Sequence, residues 1–95
     1  MDDDGIVVVM HWVYILRCAD GSLYIGETNN VDARVVAHNE GRSAHTATRR
    51  PVVLVYSEVF ENRLLALERE RQLKRWTRAK KEALIRADAT ALNRL

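Results

Sequence analysis

The sequence predicts an α+β domain: a three-stranded, mostly antiparallel sheet in the order β-β-α-β-α-α, covered by helices. Three observations carry this prediction. Two strand-like runs, His11 to Cys18 and Leu23 to Glu27, flank Asp20-Gly21, a pair suited to a tight hairpin because glycine tolerates positive φ. A third run, Val52 to Ser57, is almost continuously apolar. Between and after these runs lie segments with helical spacing and good capping residues. Strands and helices combined in this way form a sheet with helices on it.

Each element has its own local reason. The first strand, HWVYILRC, is rich in β-branched and aromatic residues, and Ala19 to Ser22 make the turn into its partner. Asn29 or Asn30 can cap a first helix with a side-chain carbonyl, and Asp32 adds negative charge where the helix dipole favours it. That helix reaches about Asn39. Gly41 to Pro51 (GRSAHTATRRP) is a polar, basic loop. The apolar run Val52 to Ser57 suits a central or two-faced strand. Glu61-Asn62 opens a second helix from Arg63 to about Trp76, and Thr77 caps a third from Arg78 to Arg86. Residues 1–10 are expected to be a poorly ordered extension, 11–87 the domain, and 88–95 a frayed tail. Val7 to Val9 could instead lengthen the first strand, and Met10 is an alternative start to Met1.

Composition narrows the classes. With 95 residues, 47% hydrophobic and a single proline, this is one globular domain with one small core. The stretch Gly5 to Leu16 is too short for a membrane span, and it follows three aspartates rather than a basic leader. Cys18 is the only cysteine, which excludes an internal disulfide and reads as a small buried hydrophobe. A cytoplasmic protein with no membrane association is expected.

The net charge of +2 conceals an asymmetry. Residues 34–81 hold twelve Lys or Arg against five Glu, and Arg69 to Lys81 carries seven of these cations against Glu70 alone. A stripe of this kind favours a polyanion, because phosphate contacts release condensed counterions. A solvated helix face is the alternative reading.

Four polar residues stand out. Glu70 falls on the helix face that carries Ala66, Leu67, Leu73 and Thr77. An inward carboxylate is costly unless it is paired or holds a cation. Its open alternatives are an ion pair with Arg34, an ion pair with Lys74 at i+4, or a partly exposed face. Arg34 and His38 share a face of the first helix by their i,i+4 relation, and the hairpin holds Tyr14 and Tyr24 at fixed relative positions. Tyr, Arg, His and Glu together can activate water, bind a phosphate and hold a hard cation.

The motifs resemble those of the GIY-YIG nuclease superfamily, most closely its small stand-alone bacterial YhbQ-like branch. Trp12-Val13-Tyr14 occupies the first motif, with Trp12 in place of its glycine, and Tyr24-Ile25-Gly26 matches the second. Gly26 to Asn30 followed by Arg34 and His38, and Ala66-Leu67 followed by Glu70 and Leu73-Lys74, match at family spacing. The resemblance covers about residues 11–87. It implies Tyr24 as general base or proton relay, Glu70 as ligand of one Mg²⁺ or Mn²⁺, and Arg34 on the scissile phosphate. It further implies that His38 assists and that Tyr14 lines the same site. An unperturbed tyrosine titrates at about 10, so activity should rise toward alkaline pH. Glu82 stands where many members have asparagine.

The expected function is a metal-dependent endonuclease acting on DNA, selective for structure rather than sequence, in repair or processing. The alternative is a weakly active or non-catalytic nucleic-acid-binding module. Nucleic-acid contacts are expected from Arg42, His45, Arg49, Arg50, Arg71, Lys74, Arg75, Arg78, Lys80 and Lys81. Thr46 is a further candidate for touching substrate. A monomer is expected, with a repair protein as partner.

Overall fold

β1 (His11–Cys18) is the centre of the molecule because the sequence gives it two faces to bury. It pairs antiparallel with β2 (Leu23–Thr28) on one side and β3 (Val52–Phe60) on the other, so the sheet order is β2-β1-β3. The computed structural model describes residues 7–94, with Arg94 described by its backbone only. The expected α+β sheet is present, and all of it is antiparallel. Met1 to Ile6 of the expected N-terminal extension lie outside the described residues. Val7 to Val9 are exposed and stand before the strand rather than within it.

The hairpin forms as its residues require: Gly21 takes φ +84°, and Asp20 Oδ1 accepts from the Ser22 amide at 3.0 Å. Alternation along β1 then builds two clusters. Val13 and Ile15 pack with Ile25 of β2 and with Ala66 and Leu73 of α2 (Arg63–Lys74). Tyr14, Leu16 and Cys18 point the other way, against Val52, Tyr24 and Val35.

One expectation fails. β3 is an edge strand, not a central one, and it runs three residues further, to Phe60. A bulge explains its misleading pattern. Ile15 pairs with Tyr56 and Leu16 with Leu54, so Val55 has no partner and the alternation of faces resets there. The apolar run is therefore two alternating patterns out of phase, and it leaves Val53, Leu54 and Val59 exposed.

The caps fix the helices. Asn30 accepts from the Ala33 amide at 3.0 Å to start α1 (Val31–Asn39), and Asn62 accepts from Leu65 at 2.8 Å to start α2. Thr77 accepts from Lys80 at 3.2 Å to start α3 (Arg78–Ile85). The tail is a second departure. Ala87 takes φ +56°, which ends α3, and Asp88 caps a separate short helix, α4 (Ala89–Arg94), rather than a frayed continuation. The basic loop holds one 3-10 turn, Ala47–Arg49. Among the described residues no helix is long and apolar enough to cross a membrane.

Candidate active site

The site grows from the register of the hairpin. Tyr14 lies opposite Gly26, and its ring passes over that glycine so closely that a Cβ there would meet the Tyr14 hydroxyl at 2.5 Å. The missing side chain lets the phenol cross β2 toward Tyr24, on the same face two residues away. The two tyrosine rings stand 6.2 Å apart at 44°.

α1 delivers the histidine. Asn39 anchors the helix end by a two-way amide contact with β3: its Oδ1 accepts from the Val52 amide at 2.7 Å and its Nδ2 donates to the Val52 carbonyl at 3.1 Å. The residue before it, His38, is only 1% exposed. Its Nε2 lies 3.1 Å from the Tyr14 hydroxyl and its Nδ1 2.7 Å from Oγ1 of Thr46, itself fully buried. The His38 ring also packs edge-on against Tyr24, with centroids 5.0 Å apart.

Electrostatics orders the protons. Burial first, then the neighbouring Arg34 and His45, pushes the His38 imidazole below its usual range, so it is neutral at pH 7. Burial also pushes the Tyr14 hydroxyl well up, and the neighbouring Tyr24 phenol, as a charge and as a hydrogen-bonding partner, acts in the same direction. Tyr14 therefore stays protonated beside the Tyr24 ring. The consistent assignment is Thr46 donating to Nδ1 and Nε2–H donating to Tyr14. A buried chain of hydrogen bonds thus ends at Tyr14, next to the partly exposed ring of Tyr24.

Arg34 and Glu70 complete the cluster. Both act on Tyr14 through space, Arg34 favouring and Glu70 opposing its ionisation. Arg34 is exposed and has no carboxylate partner among the described residues; it borders a cleft of about 250 Å³ shared with His11, Glu27, Thr28, Asn29 and Arg63. Glu70 is mostly buried, and of its open alternatives the pair with Lys74 forms: Oε2 meets Nζ at 2.8 Å. Among the described residues no three His, Cys, Asp or Glu side chains gather as metal ligands, so Glu70 stands alone.

The expected nucleic-acid contacts divide. His45 lies beside Tyr24, with ring centroids 5.8 Å apart. Arg71 on α2 and Arg75 at its C-cap are exposed, and Lys81 borders a small cleft with Ser22 and Arg78. Others already have partners: Arg42 with Glu40, Arg49 with Asp20, Lys74 with Glu70, and Lys80 over the Trp76 ring. Arg50 donates to the carbonyls of Ala47 and Asn39, and Arg78 to that of Gly21. Thr46 is a correction, since it faces His38 from inside the loop and cannot touch substrate. Neither Thr46 nor Asn39 is legible as part of the site in sequence, because each acts on a neighbour brought close only by folding.

Glu82 has a task of its own. It takes a two-pronged contact from Arg17 at 2.7 and 2.8 Å and a third from Arg78 at 3.2 Å. Arg17 alternates with Val13 and Ile15 on β1, so this clamp ties α3 to the sheet face opposite Tyr14.

Known proteins carry the same pattern. A family model described as the GIY-YIG catalytic domain matches residues 10–83. A UPF0213 protein of Staphylococcus haemolyticus is 50% identical over 76 residues, covering 79% of this chain and 93% of the relative. One from Staphylococcus aureus is 52% identical over 77 residues, covering 80% and 94%. The solution NMR structure of a UPF0213 protein from Bacillus halodurans matches with a TM-score of 0.56 at 39% identity, covering 83% of this chain and 85% of that one. That of a protein from E. faecalis matches with a TM-score of 0.58 at 38% identity, covering 82% and 84%. The motif order, the fold and these relatives agree: the chain belongs to the GIY-YIG catalytic-domain family, within its UPF0213 (YhbQ-like) group.

Proposed function

We propose that this chain is a metal-dependent endonuclease that hydrolyses phosphodiester bonds in DNA, selecting structure rather than sequence. It works as a cytoplasmic monomer in repair or processing. The observation that carries this reading is the buried Thr46–His38–Tyr14 chain, which stands against the partly exposed Tyr24 ring, with Arg34, a guanidinium without a carboxylate partner among the described residues, and the Glu70 carboxylate both acting on Tyr14 through space. A packing core has no need of such an arrangement.

Each residue has a task. Tyr24 takes the proton of the attacking water, directly or through a second water. Arg34 binds the phosphate and offsets the charge that develops on its oxygens. His38 and Thr46 are positioning residues, fixing Tyr14 and through it Tyr24. Glu70 suits one hard cation: Mg²⁺ keeps several waters and binds through one or two carboxylates plus substrate phosphates. Its Oε1 is not used in the Lys74 contact, and Lys74 is half exposed and free to move aside. Mg²⁺ or Mn²⁺ held there would supply Lewis-acid charge on the phosphate and acidify a bound water.

The test is cleavage of labelled single-stranded, duplex, flap and branched DNA with Mg²⁺ or Mn²⁺, comparing wild type with Glu70→Ala. Metal-dependent cleavage that drops at least 100-fold in the variant, with melting unchanged, supports the reading. Binding without cleavage, unaffected by the substitution, would make the site a relic and the basic helices the function.

A further inference from the structure

We infer that the groove running on from the tyrosine pair along β1 is a stacking site for one unpaired nucleobase, with Trp12 as its platform. The inference rests on the nuclease reading above and names the part of the substrate that the protein grips.

Trp12 is a large indole that the core does not use. It is only partly buried and belongs to neither apolar cluster. It shares a sheet face with Tyr14, two residues along the same strand, a separation of about 6.8 Å. The groove it lines holds about 370 Å³, a volume typical of sites for small molecules. Its other walls are residues 29–32 at the start of α1 and Leu54 and Ser57 of β3.

The bulge at Val55 builds the β3 wall. Ser57 pairs with Tyr14 and Leu54 with Leu16, so both stand on the Trp12 face although they are three residues apart. Without the extra residue they would fall on opposite faces. Bulges often re-aim side chains next to active sites, and here Leu54 is left exposed where it borders the groove.

The chemistry of the lining selects a base and rejects a phosphate. None of the groove's side chains is cationic, and Asp32 repels an anion. An aromatic face, two aliphatic walls and the amide and carboxylate of Asn29 and Asp32 match a flat heterocycle with polar edges. Phosphate belongs next door, at the guanidinium of Arg34. A strand with its backbone on Arg34 and one base splayed onto Trp12 meets both requirements, and only an unpaired base can turn away in this way.

The experiment follows Trp12 emission in a Trp76→Phe protein, with EDTA present so that no cleavage occurs. The probes are a single-stranded DNA oligonucleotide, an abasic strand of equal length, and a duplex. Anisotropy of the same labelled strands on wild-type protein provides a measurement that needs no substitution. The intact single strand should quench Trp12 and bind about 10-fold more tightly than the abasic strand, within the usual cost of losing one stacked base. Trp12→Ala should remove that advantage and leave abasic binding unchanged, whereas Trp12→Phe should keep most of it. Equal binding of intact and abasic strands, without quenching, would overturn the stacking site and leave the nuclease reading standing. Failure of every strand to bind would overturn both. An emission change on raising protein concentration alone would assign the groove to a second copy of the chain and overturn the inference.

Discussion

The two faces of β1 use the same strand for different ends. Toward α2, Val13 and Ile15 meet Ile25, Ala66 and Leu73, a cluster of aliphatic groups that asks only to be kept from water. Toward α1, Tyr14 is just as buried, but its hydroxyl enters a chain through His38 to Thr46 and lies beside Tyr24. Burial is equal and chemistry is not. A strand period of two lets one segment anchor the fold on one side and present reactive groups on the other. Substitutions on the α2 face should therefore change stability, and those on the α1 face should change activity by more than they change stability.

The largest stability effect is expected at Leu73, fully buried against the sheet. Leu73→Ala should cost about 2–5 kcal/mol by removing apolar contact and leaving a cavity. Activity per folded molecule should persist, read as cleavage normalised to the folded fraction from denaturant melts. Gly26→Ala tests the seam between the faces. Its Cβ would collide with the Tyr14 ring, so a cost of about 1–3 kcal/mol should come with a drop in cleavage beyond what lost stability explains. If cleavage simply tracked the folded fraction, the close approach would be packing alone.

The smallest effect concerns Glu82, on the stabilising side. Arg17 first, then Arg78, holds its carboxyl down to about 2, below the ordinary value of 4.5. The folded state thus binds fewer protons than the unfolded state between those values. The stabilisation is complete above about pH 4.5 and is lost as pH falls toward about 2. Glu82→Gln should cost about 1 kcal/mol at pH 7, a partly exposed pair being screened. The gap in melting temperature between the two proteins should close as pH approaches 2. A gap independent of pH would mean that the clamp acts through shape rather than charge.

Much of this division was legible from residue order. The hairpin, the caps at Asn30, Asn62 and Thr77, and the placing of Tyr14 beside Tyr24 follow from spacing. The position of β3 was not legible, because a bulge turns an alternating strand into an apparently continuous apolar run. In sequence Thr46 is simply a loop residue open to substrate, since nothing local distinguishes a hydroxyl that will be buried on a distant imidazole. The basic residues were legible as charge but not as contacts: Arg50 and Arg78 serve backbone carbonyls, which no charge pattern shows. What short-range rules miss here is set by pairs far apart in sequence.

The most direct test of the claim that the α1 face exists for chemistry at Tyr24 is the cleavage rate and melting temperature of Tyr24→Phe, measured together. Tyr24 is partly exposed, and the substitution removes only its hydroxyl. The expected result is cleavage reduced on the order of 10²–10⁴-fold, the usual contribution of a general base, with melting within a few degrees of wild type. Full activity with a lowered melting point would contradict it and return the tyrosine pair to the core.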